Sequence, residues 1–243
     1  MMPVDISVVI PAFNEEKYLA RCLYGLMHQV DPPRVEVIVV DNGSSDSTAV
    51  IARSFGAQVI TEPQLGVGRA RRVGFAAARA PIIASTDADC IPSPNWLNRI
   101  WQTFVDEPDL VAVAGYALFL DGPLYIRMAP RLIQRVNAFR YIGHMFGRQP
   151  ASTQNLAVRR QAYEAVGGFN AAIVSPLALD DVDLPLRLSK LGPVRVRSDL
   201  VVWTSARRYM QEPLRTFWYR AANYAAYAVQ GQGVFAERQS NIR

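Results

Sequence analysis

From Ile6 the chain opens on a short β-branched run, ISVVI (6–10), and then changes period. Through NEEKYLARCLYGLMHQ (14–29) the apolar positions Tyr18, Leu19, Leu23 and Leu26 recur at helical spacing. The first pattern predicts a buried strand and the second an amphipathic helix, with acids in its first turn where the helix dipole favours them. The same exchange repeats twice more and ends on a further strand. EVIVVD (36–41) predicts a strand, SSDSTAVIARSFG (44–56) a helix closed by Gly56, AQVIT (57–61) a strand, GVGRARRVGFAAARA (66–80) a helix and PIIASTD (81–87) a strand. Further on, LVAVAGYALFL (110–120) stops at Asp121-Gly122-Pro123, well short of the roughly 20 residues a membrane-spanning helix needs. It reads as another strand. Strands that are near-continuously apolar and alternate with helices predict an α/β fold, a Rossmann-like and mostly parallel central sheet with helices on both faces. Ligands of such sheets bind beyond the carboxyl ends of the strands. Pro11 to Glu15, Asp41 to Ser44 and Asp87 to Asp89 all fall just after predicted strand ends, so three polar clusters should share one edge.

The second half carries a different pattern. In LYIRMAPRLIQRVNAFRYIGHMF (124–146), Arg127, Arg131 and Arg135 recur every four residues beside an apolar stripe of Met128, Leu132, Val136 and Phe139, and no acid interrupts the stretch. This predicts a basic amphipathic helix, or a pair broken at Pro130. Such a helix suits the surface of an anionic membrane, and it equally suits packing on the domain with its arginines solvated.

At 243 residues, half of them apolar, the chain can bury one large core. Charge is uneven: residues 1–110 hold 9 Lys+Arg against 13 Asp+Glu, and residues 111–243 hold 17 against 8. The basic surplus is scattered through helix-like text, without zinc-finger spacing or an RNP-type aromatic signature, which argues against nucleic acid as a partner. Cys22 and Cys90 lack metal-ligand spacing and read as small apolar fillers of a reducing compartment. The opening MMPVDISVVIPAF lacks a signal-peptide pattern, so the expected location is the cytoplasm, at the inner face of the membrane if the basic helix attaches there.

Asp87 and Asp89 carry the chemistry. Paired carboxylates raise each other's pKa unless a cation neutralises them, and oxygen donors suit Mg²⁺ or Mn²⁺, ions that usually share their shell with a substrate diphosphate. Alone the pair is weak, since Asp181-Val182-Asp183 repeats it and acids often start helices; Asp183 reads as such a first-turn acid. Bland readings stand beside other sites: Asp46 or Ser44 as a helix cap, Gly167-Gly168-Phe169 as a helix C-cap with its hydrophobic contact, Asn155 as a turn residue, and His28 and His144 as structural.

Six blocks in order, VVIPAFNEEKYLARCL, VIVVDNGSSDST, GVGRARRVGFAAA, STDAD, STQNLAVRRQAYEAVGGFN and DDVDLPLRL, resemble the family 2 glycosyltransferases of the GT-A fold. The resemblance implies an enzyme that moves a sugar from a nucleotide-diphosphate sugar, UDP-linked, to an acceptor hydroxyl with inversion, using Mn²⁺ or Mg²⁺. It implies that Pro11, Phe13 and Glu15 form the first nucleotide loop, that Asp41 bonds the base, and that Arg71 lies near the diphosphate, followed by Arg72 where the family has Asn. Asp87 and Asp89 match its metal motif, with Asp89 the direct ligand and Asp87 nearer the ribose. Asp180 and Asp181 match its catalytic pair, Asp181 as general base, and Asn155 the position that contacts donor sugar or acceptor. A lipid-linked acceptor of cell-envelope polysaccharide or glycolipid synthesis is the matching partner class.

The implied division is residues 1–110 for the nucleotide sugar, 111–208 for acceptor and catalysis, and 209–243 as a C-terminal helical extension. Three positions depart from the family pattern. Cys90 stands where many members have a third acid, VVWTSARR (201–208) lacks the common histidine ligand and offers Ser205 in its place, and Asp180 replaces Glu. The alternatives are a nucleotidyltransferase, whose Gly-rich opening PAFNEE does not supply, and a non-catalytic nucleotide-sugar-binding module.

Overall fold

The computed structural model of the chain describes residues 3–135, 153–170 and 180–211. In chain order its elements are β1 (Ile6–Ala12), α1 (Leu19–Met27), β2 (Val35–Asp41), α2 (Thr48–Ser54), β3 (Gln58–Thr61), α3 (Val67–Ala77), β4 (Ile82–Thr86), β5 (Cys90–Pro92) and α4 (Trp96–Asp106). Then follow β6 (Ala112–Phe119), α5 (Leu124–Arg135), β7 (Asn155–Arg159), α6 (Arg160–Ala165), α7 (Asp180–Leu188), β8 (Val194–Thr204) and α8 (Arg207–Gln211).

Burial alternates with period two along the strands and explains their composition. Ile6, Val8 and Ile10 of β1 join one core and Val9 the other; Val39 of β2 is divided from Ile38 and Val40, and Ile82 and Ala84 of β4 from Ile83. A strand buried on both faces takes apolar side chains at nearly every position, hence the near-continuous runs. Leu19, Leu23 and Leu26 of α1, Ala52 of α2, and Trp96, Leu97 and Ile100 of α4 cover the first core. Ala70 and Phe75 of α3, Tyr163 of α6, and Leu184 and Leu188 of α7 cover the second. Helix α3 sits so close to the sheet that a Cβ on Gly74 would lie 2.3 Å from Val9 Cγ1. Only glycine fits there.

The sheet order is β3-β2-β1-β4-β7-β6-β8-β5. β3, β2, β1 and β4 run parallel, as does β6 with β8, while β7 is antiparallel to β4 and β6, and β5 to β8. The sheet is thus mixed and, as expected, mostly parallel. The carboxyl ends of β1, β2, β4, β6 and β8 meet at one edge, joined there by the starts of β5 and β7.

Of three local expectations, one holds and two change in detail. Helix α1 starts at Leu19, because Asn14 takes a left-handed φ of 53° and Glu15 and Glu16 belong to the turn before the helix. The expected C-cap at Gly167 and Gly168 is present: both have positive φ, the Gly168 amide donates to Tyr163 O, and the Phe169 ring packs on Phe75 and Tyr163. In α5 the described part of the expected apolar stripe, Met128, is not covered by the domain. Leu124 and Tyr125 are 70% and 73% exposed and Met128 is exposed, whereas Arg127 is half-buried. The remainder of that basic stretch from residue 136, with His144, and the C-terminal extension from residue 212 lie outside the described residues.

Candidate active site

The edge is organised first by its loops. The turn after β1 is laced to the turn after β2: the Asn14 amide donates to Ser44 Oγ at 2.9 Å, the Ser45 amide to Asn14 Oδ1 at 2.9 Å, the Glu15 amide to Thr48 Oγ1 at 2.8 Å, and the Glu16 amide to Asp46 Oδ2 at 3.1 Å. Glu16 Oε2 returns the contact by accepting from the Ser47 amide at 3.2 Å. Asp46 accepts from Thr48 as well, and although burial opposes its charge, these bonds hold its carboxyl below the ordinary value. So the acids that sequence periodicity assigned to a first helical turn serve to join two loops. Asp41, at the end of β2 and nearly buried, accepts from the Ser44 amide at 3.1 Å. Asn42 beside it holds the turn before α3, donating to Glu62 O and Gln64 O and accepting from the Gly66 amide, each at 2.8 Å. Pro11 is buried in β1 and Phe13 is 43% exposed at the mouth of this loop pair.

Next to these loops lies a group of charges. Asp87 Oδ1 accepts from Arg71 Nη2 at 2.7 Å, and Arg71 is buried in α3. Asp89 Oδ2 lies 3.2 Å from Arg207 Nη2, and the same guanidinium pairs with Glu15 and lies over the Tyr18 ring, 4.4 Å from its centroid. Thr204 Oγ1 donates to Asp89 Oδ1 at 3.4 Å. Burial alone would disfavour the Arg207 charge; the Glu15 hydrogen bond and the charges of Glu15 and Asp89 outweigh it and raise its pKa above the ordinary value. Two guanidinium groups therefore face the carboxylates of Glu15, Asp87 and Asp89.

The residues present fit a hard divalent cation. Oxygens of Asp87 and Asp89 and the Cys90 sulfur lie within 4.8 Å of one another, and two carboxylates plus a substrate diphosphate are the donors such ions prefer. Cys90 is the weak member, since burial first, and then the charges of Asp87 and Asp89, push its thiol well above its ordinary value and keep it protonated.

Other expected site residues fall elsewhere. The structure does not bring Asn155 to the cleft: it is fully buried, accepts from Trp96 Nε1 at 2.8 Å and donates to Tyr116 O and Leu200 O, each at 3.0 Å. Ser205 turns away from the carboxylates and donates to Asp121 Oδ2 at 2.8 Å. Arg207, two residues on, is the group that reaches Asp89 from this end, and sequence reasoning missed it. Asp183 is more than a first-turn acid: it is 8% exposed and grips Arg187, whose Nη1 donates to Val166 O and so ties α7 to the end of α6. Asp180 and Asp181 start α7, and their side chains lie outside the described part of the structure.

Comparison with known proteins agrees with this arrangement. The model of the glycosyl transferase family 2 matches residues 7–167. Glycosyltransferase AglE of Haloferax volcanii is 32% identical over 183 residues, covering 70% of this chain and 57% of its own length. The chain spans little more than half the length of AglE. Among solved structures, the mannosyltransferase PcManGT of Pyrobaculum calidifontis, in complex with GDP-Man and Mn²⁺, superposes with a TM-score of 0.69 at 19% identity, over 96% of this chain and 66% of that one. Glucosyl-3-phosphoglycerate synthase of Mycobacterium tuberculosis, in complex with Mn²⁺, UDP and glucosyl-3-phosphoglycerate, gives 0.63 at 22% identity, over 96% and 81%. These likenesses identify the fold as the GT-A type. With two thirds of its length matched by the family model and its acids gathered at the carboxyl edge of that fold, the chain belongs to the family 2 glycosyltransferases.

Proposed function

We propose that the chain transfers a sugar from a nucleotide-diphosphate donor, UDP-linked, to an acceptor hydroxyl with inversion of the anomeric centre. The observation that carries the reading is the convergence of Asp41, Arg71, Asp87 and Asp89 at one sheet edge, between loops already locked to each other. In this reading Asp41 takes hydrogen bonds from the base, and Pro11, Phe13 and Glu15 form the first nucleotide loop. Asp89 and Asp87 would hold Mn²⁺ or Mg²⁺, which when bound neutralises charge on a diphosphate leaving group. Arg71, fixed by Asp87, adds a positive charge that needs no reorganisation as the leaving group forms. Asp181, at the start of α7, takes the proton of the attacking hydroxyl, and Asp180 orients it. One-step displacement of this kind inverts the sugar. PcManGT and glucosyl-3-phosphoglycerate synthase, which bind GDP-Man and UDP respectively together with Mn²⁺, support the donor class. Calorimetry with UDP, GDP and dTDP, with and without Mn²⁺, tests the reading: metal-dependent heat with UDP is expected, and none with any of the three overturns it. A panel of nucleotide sugars scored for hydrolysis then names the donor.

A second reading concerns the acceptor side. No helix among the described residues is long and apolar enough to cross a membrane. Leu124, Tyr125 and Met128 of α5 nonetheless face solvent, and residues 124–146 carry arginines and no acid. We propose that this face rests on an anionic bilayer that presents a lipid-linked acceptor. Co-sedimentation with anionic vesicles at low salt is expected, and its loss when Arg127, Arg131 and Arg135 are all changed to Ala; binding that survives the triple change refutes the attachment.

A further inference from the structure

We infer that Arg207 is a resident counter-ion that closes the cation site of the nucleotide-free chain and yields it when a nucleotide diphosphate arrives. The inference rests on the metal reading proposed above. Arg207 Nη2 stands 3.2 Å from Asp89 Oδ2, the carboxylate placed to hold the ion, and a cation on Asp89 has to part that pair. A bare ion gains nothing in exchange and meets a guanidinium charge at close range. An ion that arrives with a diphosphate brings the anion that a released guanidinium can grip with its planar fork of donors.

Two further contacts make the release local. Glu15 holds the same Nη2, and the Tyr18 ring lies against the guanidinium, so Arg207 can leave Asp89 while it stays in the cleft. The two arginines of the site differ in this respect. Arg71 is 5% exposed and fixed within α3, whereas Arg207 is 22% exposed on a helix of five residues. Arg71 is the static charge and Arg207 the exchangeable one. The consequence is an order of loading in which nucleotide comes before or with the metal.

The test is a Mn²⁺ titration, followed by the electron paramagnetic resonance of the free ion, on the wild-type chain and on Arg207→Met and Arg207→Lys, without nucleotide and with saturating UDP. Wild type is expected to bind Mn²⁺ weakly alone and at least about tenfold more tightly with UDP. Arg207→Met should tighten nucleotide-free binding about tenfold or more, shrink the gain from UDP, and lose the ion again when Asp89→Asn is added. Arg207→Lys keeps a charge without the fork and should fall between the two. Should Arg207→Met fail to fold by circular dichroism, the lysine variant carries the test. Nucleotide-free affinity no tighter than wild type in the folded variants overturns the role of Arg207 and leaves the metal reading intact. Absence of Mn²⁺ binding by wild type even with UDP overturns the metal reading, and the counter-ion with it.

Discussion

Replacing Asn155 by Ala separates a core role from a substrate contact at that position. The side chain has no exposed surface, and its amide serves three partners: Trp96 Nε1–H, Tyr116 O and Leu200 O. It sits where β7 begins and bridges α4, β6 and β8 across a gap that tolerates no extra atom, since a Cβ on Gly115 would lie 2.5 Å from Asn155 Nδ2. Truncation leaves one buried donor and two buried carbonyls without their partner, at about 1–3 kcal/mol for each group that finds no substitute. Water entering the vacated space relieves part of this, so the loss should be about 3–4 kcal/mol, or roughly 10 °C in melting temperature for a domain of this size. Asn155→Asp is expected to cost at least as much, because it sets a carboxylate against the two carbonyls that the amide nitrogen now serves. Urea unfolding measures the midpoint, and UDP titration of the folded protein should show affinity close to wild type. An Asn155→Ala protein with a wild-type midpoint and abolished transfer would refute the reasoning and return Asn155 to the cleft.

Four other outcomes follow from the same structure. Gly74→Ala drives a methyl into Val9 and Val40 and should lower stability by about 1–3 kcal/mol, read as a shift in urea midpoint without change in slope. Asp183→Asn weakens the clasp on Arg187 and should cost about 2 kcal/mol, discounted from a fully buried pair because Arg187 remains partly exposed; an unchanged midpoint would show the clasp to be idle. On acidification, Glu36 should contribute a loss of stability: burial raises its pKa, but bonds from Ser7 and Arg79 outweigh that and hold it below the ordinary 4.5, so its stabilisation is complete above pH 4.5 and fades as the pH falls through the lower folded value, and Glu36→Gln should flatten the acid limb of the unfolding profile. Asp181→Asn should cut transfer by about 10²-fold while metal-dependent UDP affinity persists, whereas Asp89→Asn should weaken both; equal loss of UDP binding in the two would move Asp181 into the metal site.

What could be read from the sequence, and what could not, divides along the range of the interactions. β1, β2 and β4 are legible because burial on both faces favours a near-continuous apolar run, and the placing of Asp41, Asp87 and Asp89 follows, since consecutive parallel strands must end on one side. The direction of β7 is not legible. NLAVR has the same local pattern in either orientation, and only its pairing with β4 and β6 makes it antiparallel. Asn155 was ambiguous for a related reason, because a polar residue before an apolar run fits a turn as well as a buried bridge, and its three partners come from residues 96, 116 and 200. The clasp of Asp183 on Arg187 was within reach, since the two stand four apart in a helical segment.

Arg207 is the instructive omission. Its partner Glu15 is 192 residues away, and the pair exists because β8 runs antiparallel to β5, sets Thr204 opposite Cys90, and so returns the chain to Asp89 just before α8 begins. No periodicity reports such a closure. A signal was present all the same, in what the segment lacks: VVWTSARR carries no histidine where a metal ligand is common in this family, and Cys90 stands where a third acid is common. With fewer donors for a cation than the family pattern offers, the remaining acids are met here by guanidinium groups. In the structure a guanidinium, that of Arg207, touches both Glu15 and Asp89 at the place where the chain departs from the family pattern. Restoring a single donor, by Ser205→His for instance, should therefore do little for metal affinity while Arg207 remains, because Ser205 faces Asp121 and the place beside Asp89 is already taken.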